Sequence, residues 1–175
     1  GKDRVPDVAS EGNVVRSVDG VESAFRQNQY AINFVSSDRE SDIVELRELL
    51  WEIADRTDRK LPMQVIVDEF QRVAPQSGEK FGNFPSRDTV RRFGKEGVKR
   101  NIKFVGITQD PTAVDKAFLR QSEYRLVFKM SNENRTSSVV RRMGIDWDAV
   151  DEGDRYTGTL FRDDGTIVQR HVKPG

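Results

Sequence analysis

The stretch LPMQVIVDEFQRVAP, residues 61–75, decides how the rest of the chain is read. Pro62 punctuates a turn, and Met63 to Val67 is a short apolar run of strand length that ends abruptly in two carboxylates, Asp68 and Glu69. A buried strand that ends this way delivers two adjacent acids to one edge of a sheet. In open α/β sheets that edge, at the carboxyl ends of the strands, is where ligands bind.

Working outward, strands and helices alternate. On the amino-terminal side, Asn13 to Val18 reads as a short strand, and Asp19 with Glu22 has capping-box spacing for a helix to about Gln27. Tyr30 to Val35 reads as a buried strand. Ser37 and Glu40 repeat the capping spacing ahead of Ile43, Leu46, Leu49, Leu50 and Ile53, which recur at helical intervals to about Asp55.

On the carboxyl-terminal side, Ala74 to Ser86 holds two prolines and two glycines and reads as a long loop, of the kind that is usually functional. A basic helix is expected from Ser86 to Lys99, weakened in its second half by Gly94 and Gly97, then a strand from Lys103 to Thr108 ending in Gln109. Thr112 to Gln121 reads as helix, Tyr124 to Lys129 as strand, and Glu133 to Met143 as a helix stopped by Gly144. After an acidic linker, Asp146 to Asp154, two strands flank Asp163-Asp164-Gly165 as a hairpin. Such alternation predicts an α/β fold, a parallel sheet covered by helices on both faces, with a C-terminal β-hairpin. The chain is expected to be one domain over residues 1–175, with an α/β core at 13–145 and the hairpin at 155–173.

Composition narrows the chemistry. Charged residues make up 33% and hydrophobic residues 35% of the 175, with formal net charge zero and no cysteine. Disulfides and thiolate metal sites are excluded, and a reducing, cytoplasmic setting fits. No apolar run approaches the roughly 18 residues of a membrane span. The lone histidine, His171, has no partners suggesting a metal site or a Ser-His-Asp triad and reads as structural. Charge is unevenly spread: eight acids face three arginines between Ser37 and Asp58, and seven bases face two acids between Arg87 and Lys103. Opposed runs of this kind suit head-to-tail packing of identical subunits or a face turned to phosphates. They equally describe two solvated helix faces.

The two adjacent acids carry the sharpest chemical reading. Magnesium is a hard cation that binds carboxylate oxygen, often through water, so Asp68 would position Mg²⁺ beside phosphates. The next residue leaves the strand in the opposite direction, which lets Glu69 orient and polarise an attacking water. Gln109, at the end of another strand, is an uncharged amide suited to sensing a terminal phosphate or holding that water. A cap of the following turn is the plainer role for Asp68, and a Gln in a turn needs no special account.

The ordered stretches VIVDEFQRVAP and EGVKRNIKFVGITQDPTAVDKAFLRQSEYRLVFKM resemble the FtsK/HerA superfamily of P-loop, ASCE-type DNA-translocating ATPases, over residues 60–145. That family has a Walker B strand ending in Asp-Glu, a basic helix leading into a strand with a Ser/Thr-Gln end, and a later strand of a "tria-f-k" type. Where the family often continues Arg-Pro-Ser, this chain has Asp110-Pro111.

The resemblance implies a RecA-like core, ATP and Mg²⁺ as ligands, and double-stranded DNA as partner. It also implies a homo-oligomeric ring, usually a hexamer, with Asp68 and Thr108 contacting the nucleotide and Glu69 and Gln109 acting in hydrolysis. An arginine acting on the neighbouring subunit's γ-phosphate corresponds to Arg92 or Arg100, and the loop from Gln76 to Pro85, with Lys80, Phe81 and Phe84, to a partner or DNA contact.

A Walker A loop ending in Gly-Lys-Ser/Thr is missing: Gly1-Lys2 runs into Asp3. The resemblance therefore implies a C-terminal portion of a larger ATPase domain, lacking the Walker A strand that would lie between the Gln-ending strand and Tyr124–Lys129. A non-catalytic DNA-binding or interaction module on a degenerate ATPase fold is the alternative. A metal-dependent nuclease is weaker, for want of a third carboxylate.

Overall fold

A computed structural model describes residues 13–56, 62–76, 85–130, 138–154 and 156–172. The chain forms two compact units, residues 1–61 and residues 62–175.

In the first unit, β1 (Asn13–Val15) and β2 (Ile32–Phe34) pair in parallel, joined by α1 (Val18–Arg26) and followed by α2 (Arg39–Arg56). The cap of α1 is Ser17, whose hydroxyl accepts from Gly20 N at 3.1 Å, and not Asp19. Glu22, expected to complete a capping box, instead pairs with Arg26 one turn on, at 2.6 Å. Ahead of α2, Asp38 takes the N-terminal bonds expected of Ser37: its carboxylate accepts from Ser41 N at 3.3 Å and its carbonyl from Asp42 N at 2.8 Å. The strand expected at Tyr30–Val35 shrinks to three residues, and Tyr30 is 64% exposed. A two-stranded parallel pair has too little surface to bury both faces of this largely apolar six-residue stretch. Helix α2 follows its periodicity, burying Ile43, Leu50 and Ala54.

The second unit carries the motifs. Strands β3 (Met63–Val67) and β4 (Ile102–Gly106) pair in parallel, with Val65 opposite Phe104 and Val67 opposite Gly106. Side chains alternate across the pair. On one face Phe104 packs with Phe70, Phe93 and Phe118, their ring centroids lying 4.3–5.9 Å apart. On the other, Ile66 and its register partner Val105 are exposed, Ile66 to 60%.

Between the strands runs α3 (Pro85–Arg92), which changes at Phe93–Gly97 to a π-helical turn and at Val98–Arg100 to a 3₁₀ turn. The weakening expected at Gly94 and Gly97 is the site of that change. Gly97 has a packing reason, since a β-carbon there would lie 2.9 Å from Ile102 O.

Beyond β4, the helix expected at Thr112–Gln121 divides. A 3₁₀ turn at Pro111–Ala113, capped by Asp110, is followed by α4 (Lys116–Gln121), capped by Asp115. Strand β5 (Tyr124–Val127) then joins β6 (Gly158–Arg162) and β7 (Ile167–Val172) in an antiparallel sheet of order β5-β6-β7. The expected hairpin is present, and it attaches to β5. Of the helix expected at Glu133–Met143, residues 131–137 lie outside the described residues; α5 (Ser138–Arg141) follows, and Gly144 ends the segment with φ +66°.

The supposed linker Asp146–Asp154 contains a helix, α6 (Trp147–Asp151), capped by the Asp146 side chain, which accepts from Ala149 N at 3.2 Å. It buries Val150 against Val127 and Phe161, with Ile145, Trp147 and Ile167 around them. The class is thus mixed α/β with small parallel sheets and a C-terminal hairpin. Among the described residues β4 does not pair with β5, and each keeps an edge without a strand partner.

Candidate active site at the carboxyl ends of β3 and β4

Asp68 and Glu69 leave β3 where the parallel ladder ends. The ladder is closed by two backbone bonds, Ile107 N to Val67 O at 2.9 Å and Phe70 N to Ile107 O at 2.8 Å. The turns after β3 and β4 therefore lie side by side, and Asp68-Glu69 and Thr108-Gln109 come to one edge. Asp68 is exposed and accepts from Glu69 N at 2.8 Å. Glu69 has φ 50° and ψ 45°, a left-handed conformation uncommon for a residue with a side chain. Strain of this kind concentrates at functional sites. Its carboxylate is half-exposed and lies 3.3 Å from Arg72 Nε.

Thr108 is occupied within the protein. Its hydroxyl donates to Gln71 Oε1 at 2.8 Å and accepts from Asp110 N at 3.1 Å. Gln109, between the two, is exposed. Gly106 lets the ring of Phe70, in the turn after β3, lie against β4: a β-carbon there would lie 2.7 Å from Phe70 Cγ.

No group of three or more His, Cys, Asp or Glu side chains converges among the described residues. The edge thus offers a magnesium ion one exposed carboxylate, Asp68. That fits Mg²⁺ held mainly by water and phosphate oxygens, and does not fit an all-protein metal cage.

The basic helix divides its arginines. Arg91 Nη2 bonds Asp115 Oδ2 at 2.7 Å, and Arg87 Nε lies 3.7 Å from the same oxygen. Asp115 is buried to 3% exposure, and its other oxygen accepts from Ala117 N at the start of α4. Sequence reading gives no role to Asp115, because it falls inside the helix expected at Thr112–Gln121 and its capping place shows only once that helix divides. Arg92 is exposed, with no ion pair among the described residues. Arg100 lies 3.9 Å from Glu96, a turn earlier, with its side chain 25% exposed.

Arg125 was also missed. It alternates with exposed residues in β5 and so points inward, where its guanidinium donates to the carbonyls of Leu119, Met143 and Asp163 at 3.1–3.4 Å. His171 stands exposed in β7. Of the loop Gln76–Pro85, residues 77–84, with Lys80, Phe81 and Phe84, lie outside the described residues. No described helix is long and apolar enough to cross a membrane.

No family model and no curated protein sequence matches the chain. Solved structures do match in fold. The genome packaging NTPase B204 from Sulfolobus turreted icosahedral virus 2, in complex with AMPPCP, superposes with a TM-score of 0.67 at 13% identity, over 94% of this chain and 74% of that one. The same NTPase in complex with ATP-gammaS gives 0.64 at 12% identity, again over 94% and 74%. Its AMP complex gives 0.65 at 13% identity, over 91% and 74%. At such identities the likeness is one of fold: this chain has the α/β architecture of a packaging NTPase.

Proposed function

We propose that this chain is the Walker B and sensor portion of an ATP-hydrolysing DNA translocase or DNA-packaging motor of FtsK/HerA type. The observation that carries the reading is the placement of Asp68-Glu69 and Thr108-Gln109 just beyond the ends of adjacent parallel strands, at one edge. The fold it shares with a nucleotide-complexed packaging NTPase supports the reading.

In this mechanism Mg·ATP is the substrate. Asp68 holds the ion's water shell beside the phosphates, and Glu69 orients and takes a proton from the attacking water. Gln109 fixes the water or the γ-phosphate from the neighbouring strand. Arg92, exposed on the basic segment, is the first candidate to neutralise transition-state charge on the next subunit of a hexameric ring. Arg100 is the second. Double-stranded DNA is the moved polymer, and the cytoplasm the setting. In this reading a segment upstream of this chain supplies the phosphate-binding loop and its strand; among the described residues β4 and β5 each keep an edge without a strand partner, which supports it.

The absence of a Gly-Lys-Ser/Thr loop from these 175 residues favours one alternative, a DNA-binding or interaction module on a retired ATPase fold. The test is DNA-stimulated ATPase activity of the full-length parent protein, beside its Glu69→Gln variant. Activity that rises with double-stranded DNA, and a variant that binds ATP without turning it over, support the motor. A folded, inactive parent protein supports the module.

A further inference from the structure

Beyond Ile107 the backbone no longer joins the turn after β3 to the turn after β4. The next main-chain bonds between the two segments are Gln76 N to Ala113 O at 2.7 Å and Asp115 N to Ala74 O at 2.9 Å. Between residues 70–73 and 108–111, among the described residues, the tie is a side-chain hydrogen bond. It runs from Thr108 Oγ1 to Gln71 Oε1, at 2.8 Å and across 37 positions of sequence. We infer that Gln71 is a positioning residue: its side-chain carbonyl holds the Thr108–Asp110 turn against the carboxylate turn and so fixes Gln109 relative to Glu69. The inference rests on the proposed ATPase reading for its kinetic consequence, and on the hydrogen-bond geometry alone for its structural one.

Gln71 is the middle residue of the 3₁₀ turn Phe70–Arg72, two places after Glu69, so its backbone moves with the carboxylate. Thr108 uses its hydroxyl in both directions: the proton goes to Gln71, and a lone pair receives the N–H of Asp110. Asp110 is fixed in turn, because its carboxylate accepts from both the N–H and the hydroxyl of Thr112. Gln109 is thereby bracketed by two anchored neighbours while its own side chain stays exposed.

This is how a reporting amide is presented, with its backbone held and its head group free. It also redefines Thr108. With its proton committed to Gln71, Thr108 acts on a nucleotide through Gln109 and not by donating to a phosphate.

The residue type at position 71 follows from the same geometry. The site needs an acceptor about two side-chain carbons beyond the Cβ. Glutamate supplies one and adds charge beside Asp68 and Glu69; leucine has similar bulk and supplies none. Displacing one of two groups that must converge on a single reacting centre slows the reaction without weakening ground-state binding, and an error near 1 Å can cost about a hundredfold.

The experiment has two arms. In the first, steady-state ATPase kinetics are measured on the full-length parent protein. Gln71→Leu and Thr108→Val each lower kcat roughly tenfold or more and leave KM for ATP within about twofold. The double variant is no slower than the worse single one, because both remove the same bond. Gln71→Glu, which keeps the acceptor, and Thr108→Ser, which keeps the hydroxyl, recover most of the rate.

In the second arm, backbone amide resonances are recorded on this chain. Gln71→Leu shifts the Gln109 and Asp110 amides, and Gln71→Glu returns them toward wild type. A Gln71→Leu protein with wild-type kcat per folded molecule overturns the inference, as do multiplicative losses in the double variant or unmoved Gln109 and Asp110 amides. If instead Glu69→Gln turns over ATP as fast as its parent, the ATPase reading fails, and the resonance arm still decides whether Gln71 sets the turn.

Discussion

The α-carbon of Gly106 lies against the ring of Phe70 with no room for a side chain between them: a β-carbon would sit 2.7 Å from Cγ and 2.8 Å from Cδ1. Phe70 is 1% exposed and follows Glu69 directly. This contact brings the last residue of β4 up to the turn that carries the carboxylates. Gly106→Ala should therefore force the ring and its turn to shift, costing about 1–3 kcal/mol of stability by overpacking. Urea denaturation checks this. Adding Phe70→Leu should recover part of the loss, and a Gly106→Ala protein as stable as wild type would mean that the ring yields freely.

Asp115 serves two elements at once, holding Arg91 and Arg87 of α3 while capping α4. Asp115→Ala removes the cap and leaves two guanidinium groups without their shared buried anion. The expected loss is about 2–3 kcal/mol, below the range for a fully buried pair broken from one side, because Arg91 is partly exposed and keeps Asp88. Asp88→Ala, at the exposed pair of Arg91 and Asp88, should change stability by less than about 1 kcal/mol. Thermal unfolding of the two variants side by side measures the contrast.

Arg125 gathers the end of α4, the segment before Gly144 and the hairpin turn through carbonyl oxygens. Arg125→Met keeps the stem and removes every donor. The expected cost is about 2–4 kcal/mol, with faster amide exchange in β6 and β7 than in β3 and β4. Arg125→Lys should rescue little, because one ammonium group cannot reproduce a planar fork aimed at three acceptors.

Asp164, in the hairpin turn, titrates below the ordinary aspartate value of 3.8, chiefly because Thr166 N donates to its carboxylate at 2.8 Å. A lowered folded-state pKa means that this contribution is present above the unfolded value and is lost as pH falls through the folded one. The hairpin should thus loosen only on the acid side of 3.8. Carboxyl chemical shifts followed through that range test it, and Asp164→Asn should remove the dependence without abolishing the turn. An Asp164 that titrates at or above the free value would refute the assignment.

Much of this was legible in the residues, for reasons that can be named. Met63–Val67 forms the expected strand because an apolar run bounded by Pro62 and Asp68 has few other uses. The hairpin followed from Asp163-Asp164-Gly165, where Gly165 takes φ +86°. Asp68-Glu69 and Thr108-Gln109 lie at one edge because parallel strands in register carry their ends there.

The failures have equally local causes. The helix Trp147–Asp151 was hidden because three acids occupy Asp146 to Asp151, and charge reads as linker unless the capping role of Asp146 is noticed. The apolar content of Tyr30 to Val35 predicts burial, whereas a narrow parallel pair leaves its ends in solvent. Asp115, Arg125 and Gln71 escaped because each acts through partners distant in sequence. Arg125 contacts Asp163 across 38 positions and Gln71 contacts Thr108 across 37.

The unpartnered edges of β4 and β5 have a practical consequence. A folded body with open strand edges among its described residues is a template for strand addition. A short synthetic strand bearing a fluorophore, captured at one of them, would turn the pairing of that edge into an optical signal and the chain itself into a reagent for screening what binds there.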